Sequence, residues 1–184
     1  MKKVVVIIIV VVILGTAFFL LNRSQSIETS IKTSPSGTSD TFHPDPSNAT
    51  FIIDDESITL SAGKNDESVA PSSSAVEETA TLDKFAYGDV NADGKTDTVL
   101  FLARFGAGSG TFIYLAGFIS GPVSYKGSQT FFLGDRIAVQ SVVMEKGVVT
   151  VKYLDRKTDE AFSAEPTVLV TKQFVYRTGE FQER

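Results

Sequence analysis

The chain has 184 residues, 42% of them apolar and 21% charged, with a net charge of −5; that length allows one folded domain plus accessory segments. It contains no cysteine, which excludes disulfides, thiolate metal sites, cysteine nucleophiles and cysteine-linked lipids. Residues 22–81 hold 3 basic against 10 acidic side chains while residues 82–184 hold 12 of each, so nothing forms the basic patch that a nucleic-acid partner requires.

Val4–Leu21 is a run of 18 residues without a charge. As a helix it spans about 27 Å, close to the ~30 Å hydrocarbon core of a bilayer. Its Val and Ile cover every face, unlike a helix packed on a soluble core. Lys2 and Lys3 precede it and Arg23 follows it. The expected order is a cytoplasmic stub at 1–3, a transmembrane anchor at 4–21, and everything later on the far side of the membrane. The alternative is a cleaved signal peptide, with Gly15-Thr16-Ala17 as the small-residue site. The run exceeds the usual h-region of about 7–15 residues, and cleavage there would leave Phe18-Phe19-Leu20-Leu21 at the new terminus. Both readings export the rest of the chain.

Residues 22–46 are rich in Ser, Thr, Pro and Asp and read as a disordered tether. His43 lies there, beside Pro44; the chain has no second histidine, and no metal or catalytic role is assigned to it. Asn48-Ala49-Thr50 has the form of a glycosylation sequon. The expected folded domain covers 47–184. It opens with a hairpin over Phe51–Leu60, with Asp54-Asp55-Glu56-Ser57 as its polar turn. Residues 61–81 read as a long loop or a linker, with a short helical turn near 73–82.

Phe85 and Tyr87 fall at alternating positions toward Val90, a strand pattern, and Thr98–Phe105 is a second strand. Between them lies GDVNADGKTD, Gly88–Asp97. Counted from Asp89 as position 1, Asn91 is 3, Asp93 is 5, Lys95 is 7 and Asp97 is 9. Calcium takes 6–8 hard oxygen ligands. Three carboxylates, the Asn91 amide oxygen and the Lys95 backbone carbonyl supply five or more, and Gly94 permits the sharp turn. Position 12 is Leu100, where a helical EF-hand carries a bidentate Glu. The expected site is therefore one structural calcium ion at a turn between strands. The spacing resembles the DxNxDGxxD loops of dockerins and of FG-GAP repeats in propellers. A dockerin has two such loops, each leading into a helix, and a propeller has several repeats; one loop leading into TVLFLARF matches neither architecture.

The glycine-rich stretch Phe105–Gly110 leads into a β-branched, aromatic run rather than a helix, so it reads as a hairpin turn and not as a phosphate loop. Further strands are expected over 111–120, 129–133, 137–144, 148–154 and 167–176, separated by glycine-containing turns. Val149, Val151 and Tyr153 alternate with Thr150 and Lys152, giving one dry and one wet face; Val168, Val170, Phe174 and Tyr176 repeat this with Lys172 as an interruption. The expected fold is mostly β, an antiparallel sandwich or partly open barrel. Asp135-Arg136 and Asp155-Arg156 are adjacent pairs. Neighbours on a strand face opposite sides, so neither is expected to close an internal salt bridge, whereas Arg156 in a turn is within reach of Asp135.

At the level of the whole domain, DPSNATFII, GDVNADGKTDTVLFL, GSGTFIYLA, FFLGDRI and YLDRKTDEAFSAEPTV occur in an order that resembles a group of small, uncharacterised, exported bacterial proteins. Their pattern is GDLNGDGKxD, GGSGTFYYL, LGDRI and DRKxxEPM. The likeness runs from about Pro44 to Phe174 and implies a single exported domain that includes the first hairpin. This chain departs in having Ala92 for the loop glycine and Ala161-Phe162 for Pro-Met; neither change removes a ligand oxygen.

The functional expectation is a membrane-anchored, extracytoplasmic calcium-binding module, at the cell surface or in a bacterial periplasm, with an unspecified protein or glycan partner. No catalytic residue and no organic cofactor is assigned. Two alternatives stay open: a cell-envelope hydrolase drawing a carboxylate pair from Asp135, Asp155, Asp159 and Glu160, and an accessory or inhibitory subunit of a membrane complex.

Overall fold

The runs at residues 97–105 and 111–119 lack the polar alternation of a half-exposed strand, which demands a position in the middle of a layered structure. The computed structural model, which describes residues 42–184 apart from Ala107 and Ser109, places both there. The stub, the anchor and residues 22–41 of the tether lie outside the described residues. Among the described residues twelve strands run in chain order: β1 (Thr50–Ile53), β2 (Glu56–Thr59), β3 (Lys64–Ser68), β4 (Val76–Gly88), β5 (Asp97–Phe105), β6 (Thr111–Ile119), β7 (Lys126–Gly127), β8 (Phe131–Asp135), β9 (Ala138–Glu145), β10 (Val148–Asp155), β11 (Val168–Arg177) and β12 (Glu180–Glu183). All named strand pairs are antiparallel. Among the described residues no helix is long and apolar enough to cross a membrane.

The strands form a two-stranded hairpin β1-β2, a four-stranded sheet β12-β11-β10-β9, and a curled six-stranded sheet β3-β4-β5-β6-β7 in which β8 also pairs with β6. Side-chain alternation along β5 then explains the layering. Val99, Phe101 and Ala103 face Val149, Val151, Tyr153 and Phe174 of the four-stranded sheet in one core. Leu100 and Leu102 face Phe51, Ile53, Ile58 and Leu60 around the hairpin in a second core. Strands β5 and β6 therefore serve two cores, one on each face. At Gly127 the hairpin comes so near that a Cβ would collide with the Thr50 carbonyl.

Three expectations change here. Residues 61–81 are neither a linker nor a helical turn: β3 and the first half of β4 pair from Lys64↔Ala80 to Ser68↔Val76. Their sequence is polar because β3 is an edge strand, exposed along most of its length, and charge on an edge discourages pairing with other chains. Beyond the turn at Thr178 and Gly179, β12 closes the smaller sheet and buries Phe181. Residues 42–46, expected as the end of the tether, belong to the same compact unit as the strands. Pro44 and Pro46 are buried, Thr98 Oγ1 donates to the Pro44 carbonyl at 2.6 Å, and the His43 ring stacks on Tyr87 with centroids 3.7 Å apart.

Candidate metal centre

The GDVNADGKTD segment closes the β4–β5 hairpin, with Gly88 and Asp97 paired across it. Its side chains fold inward because each short Asx oxygen finds a backbone donor a few residues on. Asp89 Oδ1 accepts from the Asp93 amide at 3.1 Å and Asp89 Oδ2 from the Gly94 amide at 2.8 Å. Asn91 Oδ1 also receives the Asp93 amide at 3.1 Å, and Asp93 Oδ1 the Lys95 amide at 2.9 Å. Gly94 sits at φ 82 with open space where a Cβ would stand.

The second wall of the site comes from the end of β6. Ser120 is buried, and its Oγ lies 2.7 Å from Asp93 Oδ2 and 2.7 Å from Asp97 Oδ1. Its backbone amide donates to Asp97 Oδ1 at 2.8 Å, and its carbonyl accepts from Asn91 Nδ2 at 3.1 Å. Asp97 is fully buried; its other oxygen accepts from the Val90 amide at 2.9 Å. Lys95 does not bring its ammonium onto the carboxylates but donates from Nζ to the Gly121 carbonyl at 2.8 Å. Tyr125, further along the same connection, donates to the Thr96 carbonyl at 2.9 Å. Six hydrogen bonds thus fasten the loop to the β6–β7 connection.

The structure therefore gathers Asp89, Asn91 and Asp93 around the turn and sets Asp97 deeper, where Ser120 links it to Asp93. The Lys95 amide, rather than its carbonyl, makes the recorded contact with the loop's side chains. Among the described residues no group of three or more His, Asp or Glu side chains is drawn together as a preformed metal cage. Hydrogen bonding from Ser120 first, and from the Lys95 amide second, holds the Asp93 carboxyl below its ordinary value. Burial, then the charges of Asp97 and Asp93, push the Tyr125 hydroxyl up.

Ser120 is the site residue that the sequence did not disclose. It closes an apolar run, and only the β5–β6 register carries it to the loop, 27 residues from Asp93.

Three of the four carboxylates considered for hydrolysis have structural partners. Asp135 accepts from the Thr111 amide at 2.8 Å and pairs with Arg136 at 2.8 Å. That pair corrects the expectation that adjacent residues cannot meet: β8 ends at Asp135, and Arg136 turns off the strand at φ 52. Asp155 accepts from the Arg156 amide, and Glu160 from the Lys157 amide and ammonium; Asp159 is exposed. Arg156 does reach Asp135, through backbone carbonyls, donating to those of Asp135, Arg136 and Ala164 at 3.2, 2.9 and 2.8 Å. No family model, curated protein or solved structure matches the chain.

Proposed function

We propose that the protein is a membrane-anchored, extracytoplasmic β-domain whose β4–β5 loop binds calcium as a structural ion, serving as a binding or envelope module. One observation carries the metal reading. Ser120 Oγ stands 2.7 Å from two carboxylate oxygens, yet a hydroxyl has one hydrogen to give and an ionised carboxylate has none. One of the two close oxygen pairs thus lacks a proton between its members. A hard cation among these oxygens removes the deficit, and Ser120 Oγ joins Asp93, Asp97, Asp89 and Asn91 in the donor set. All are oxygens, the choice of calcium rather than of a soft metal. The apolar run at 4–21 with its flanking Lys2, Lys3 and Arg23 supports the anchored, exported reading, and an exported loop meets ample calcium.

The test is thermal melting of the full-length protein in detergent, with chelator or with about 5 mM calcium or magnesium. A dissociation constant on the order of 10⁻⁴ M gives roughly 2 kcal/mol of stabilisation, a rise of about 5–10 °C. Magnesium, which dehydrates reluctantly and demands an octahedron, produces a much smaller rise. A melting point indifferent to calcium, and rising as the pH of the chelated protein falls, assigns the deficit to a shared proton and rejects the metal.

A further inference from the structure

The opposite end of β5 carries a different surface. Seven residues separate Asp97 from Arg104, about 23 Å along a strand, so this surface is independent of the loop reading. On the hairpin side of the sheet, Phe112 and Phe132 are 37% and 50% exposed. Their ring centroids lie 6.4 Å apart, and Phe132 lies 5.5 Å from Tyr114. A lone exposed apolar residue is ordinary. A contiguous aromatic pair with an arginine beside it has the composition of an interface centre.

The rim is acidic. The Tyr114 hydroxyl donates to Asp54 Oδ2 at 2.7 Å. Arg104, opposite Phe112 in the β5–β6 register, has one Nη2 at 2.9 Å from Glu56 and 2.7 Å from Glu77. Asp55 is exposed in the same turn as Asp54. Glu56 and Glu77 share the Arg104 guanidinium, Asp54 and Asp55 lie in the turn that carries Glu56, and Arg136, beside Phe112, is paired with Asp135, so carboxylates outnumber guanidinium groups around the two rings. An anionic lipid surface or nucleic acid is repelled by such a rim. Charge complementarity selects a cationic protein segment, and the phenylalanine faces select an apolar side chain within it, with an Arg or Lys able to lie over a ring.

We propose that this face docks a positively charged segment of a partner protein, one apolar side chain resting on Phe112 and Phe132 and flanking Lys or Arg residues meeting the Asp54–Glu56 turn. The test is fluorescence anisotropy on the full-length protein in a non-ionic detergent. Three labelled octapeptides serve as probes: alternating Arg-Leu, alternating Glu-Leu and alternating Arg-Ser. The Arg-Leu peptide binds at least about tenfold more tightly than either of the others. Phe132→Ser removes at least about tenfold of that affinity. The double change Asp55→Asn with Glu56→Gln weakens binding and flattens its dependence on salt. Leu169→Ser, at a 61% exposed residue of the other sheet, leaves binding unchanged. Melting of each variant separates lost binding from lost folding, and the two lesions differ in kind, so one misfolded variant does not remove the test. Equal binding of Arg-Leu and Arg-Ser, indifference to Phe132→Ser, no binding of any peptide, or selective binding of a soluble N-acetylglucosamine oligomer instead each overturns the proposal.

Discussion

At the scale of single residues, backbone geometry decides which side chains are out of place. Ala92 stands at φ 62 in the middle of the loop, a left-handed conformation that costs an L-residue about 1–2 kcal/mol. Ala92→Gly removes the steric cost and returns part of the gain as unfolded-chain entropy. The expected net gain is about 0.5–1 kcal/mol, or roughly 2–4 °C in melting temperature; calorimetry in chelator reads it without interference from an ion. Asp54 and Asp55 occupy the two central positions of the β1–β2 turn at φ 49 and 68. Asn-Gly is the usual choice for that geometry, and Asp tolerates it better than most residues. The sequence thereby holds two carboxylates where glycine would offer none. Residues of this kind were legible where their meaning is local. Asp89, Asn91, Asp93 and Gly94 announce a turn by spacing alone, since their partners lie two to five residues away. Ser120 announces nothing, because its meaning depends on a neighbouring strand.

At the scale of elements, Ser120 is what joins the β4–β5 loop to the end of β6, and its removal isolates that link. Ser120→Ala takes away the largest influence lowering the Asp93 carboxyl, so that carboxyl moves back up toward the ordinary value near 3.9. A folded-state value below the unfolded one contributes stability above the unfolded value and loses it as pH falls through the folded value. The chelated wild-type protein therefore loses this contribution below about pH 4, and Ser120→Ala, which never has it, shows a flatter acid limb. Carbonyl-detected NMR titration of Asp93 and melting curves across pH 2–6 check both statements; an unmoved Asp93 titration rejects the assigned cause. Elements were legible in proportion to their apolar patterning. Strands β5, β6 and β10 stand out because they supply cores. The β3–β4 hairpin is not legible because neither KNDES, at the sheet edge, nor EETAT, beside it, carries an apolar period, and a polar stretch with one proline reads as a loop. Strand β12 is not legible because four residues with one buried phenylalanine are too short for any period to show.

At the scale of the whole molecule, the arrangement is a shared sheet with a core on each face, and the question is whether the two cores act as one. Phe51 is fully buried in the hairpin core and Phe174 is fully buried in the other, where it meets Phe131 edge-on at 4.8 Å. Truncating either to alanine costs about 3–5 kcal/mol. The residues share no cluster; between them stand β5 and β6, whose side chains alternate between the faces. Separated lesions without shared partners add to within about 0.5 kcal/mol. The double variant then loses about 6–10 kcal/mol, comparable with the 5–15 kcal/mol of a whole domain, and is largely unfolded at 25 °C. The hairpin is nevertheless more than an ornament on the sheet. Its Ile52 amide donates to the Ser128 carbonyl and its Ile52 carbonyl accepts from the Thr130 amide, so β1 is stitched into the connection between β7 and β8. Urea unfolding of the single variants is therefore expected to stay two-state with an unchanged m-value, which tracks the surface exposed on unfolding. A fall in m for Phe51→Ala, with Phe174→Ala unaffected, would instead mean that the hairpin opens by itself, and the cooperative account of the two cores would fail.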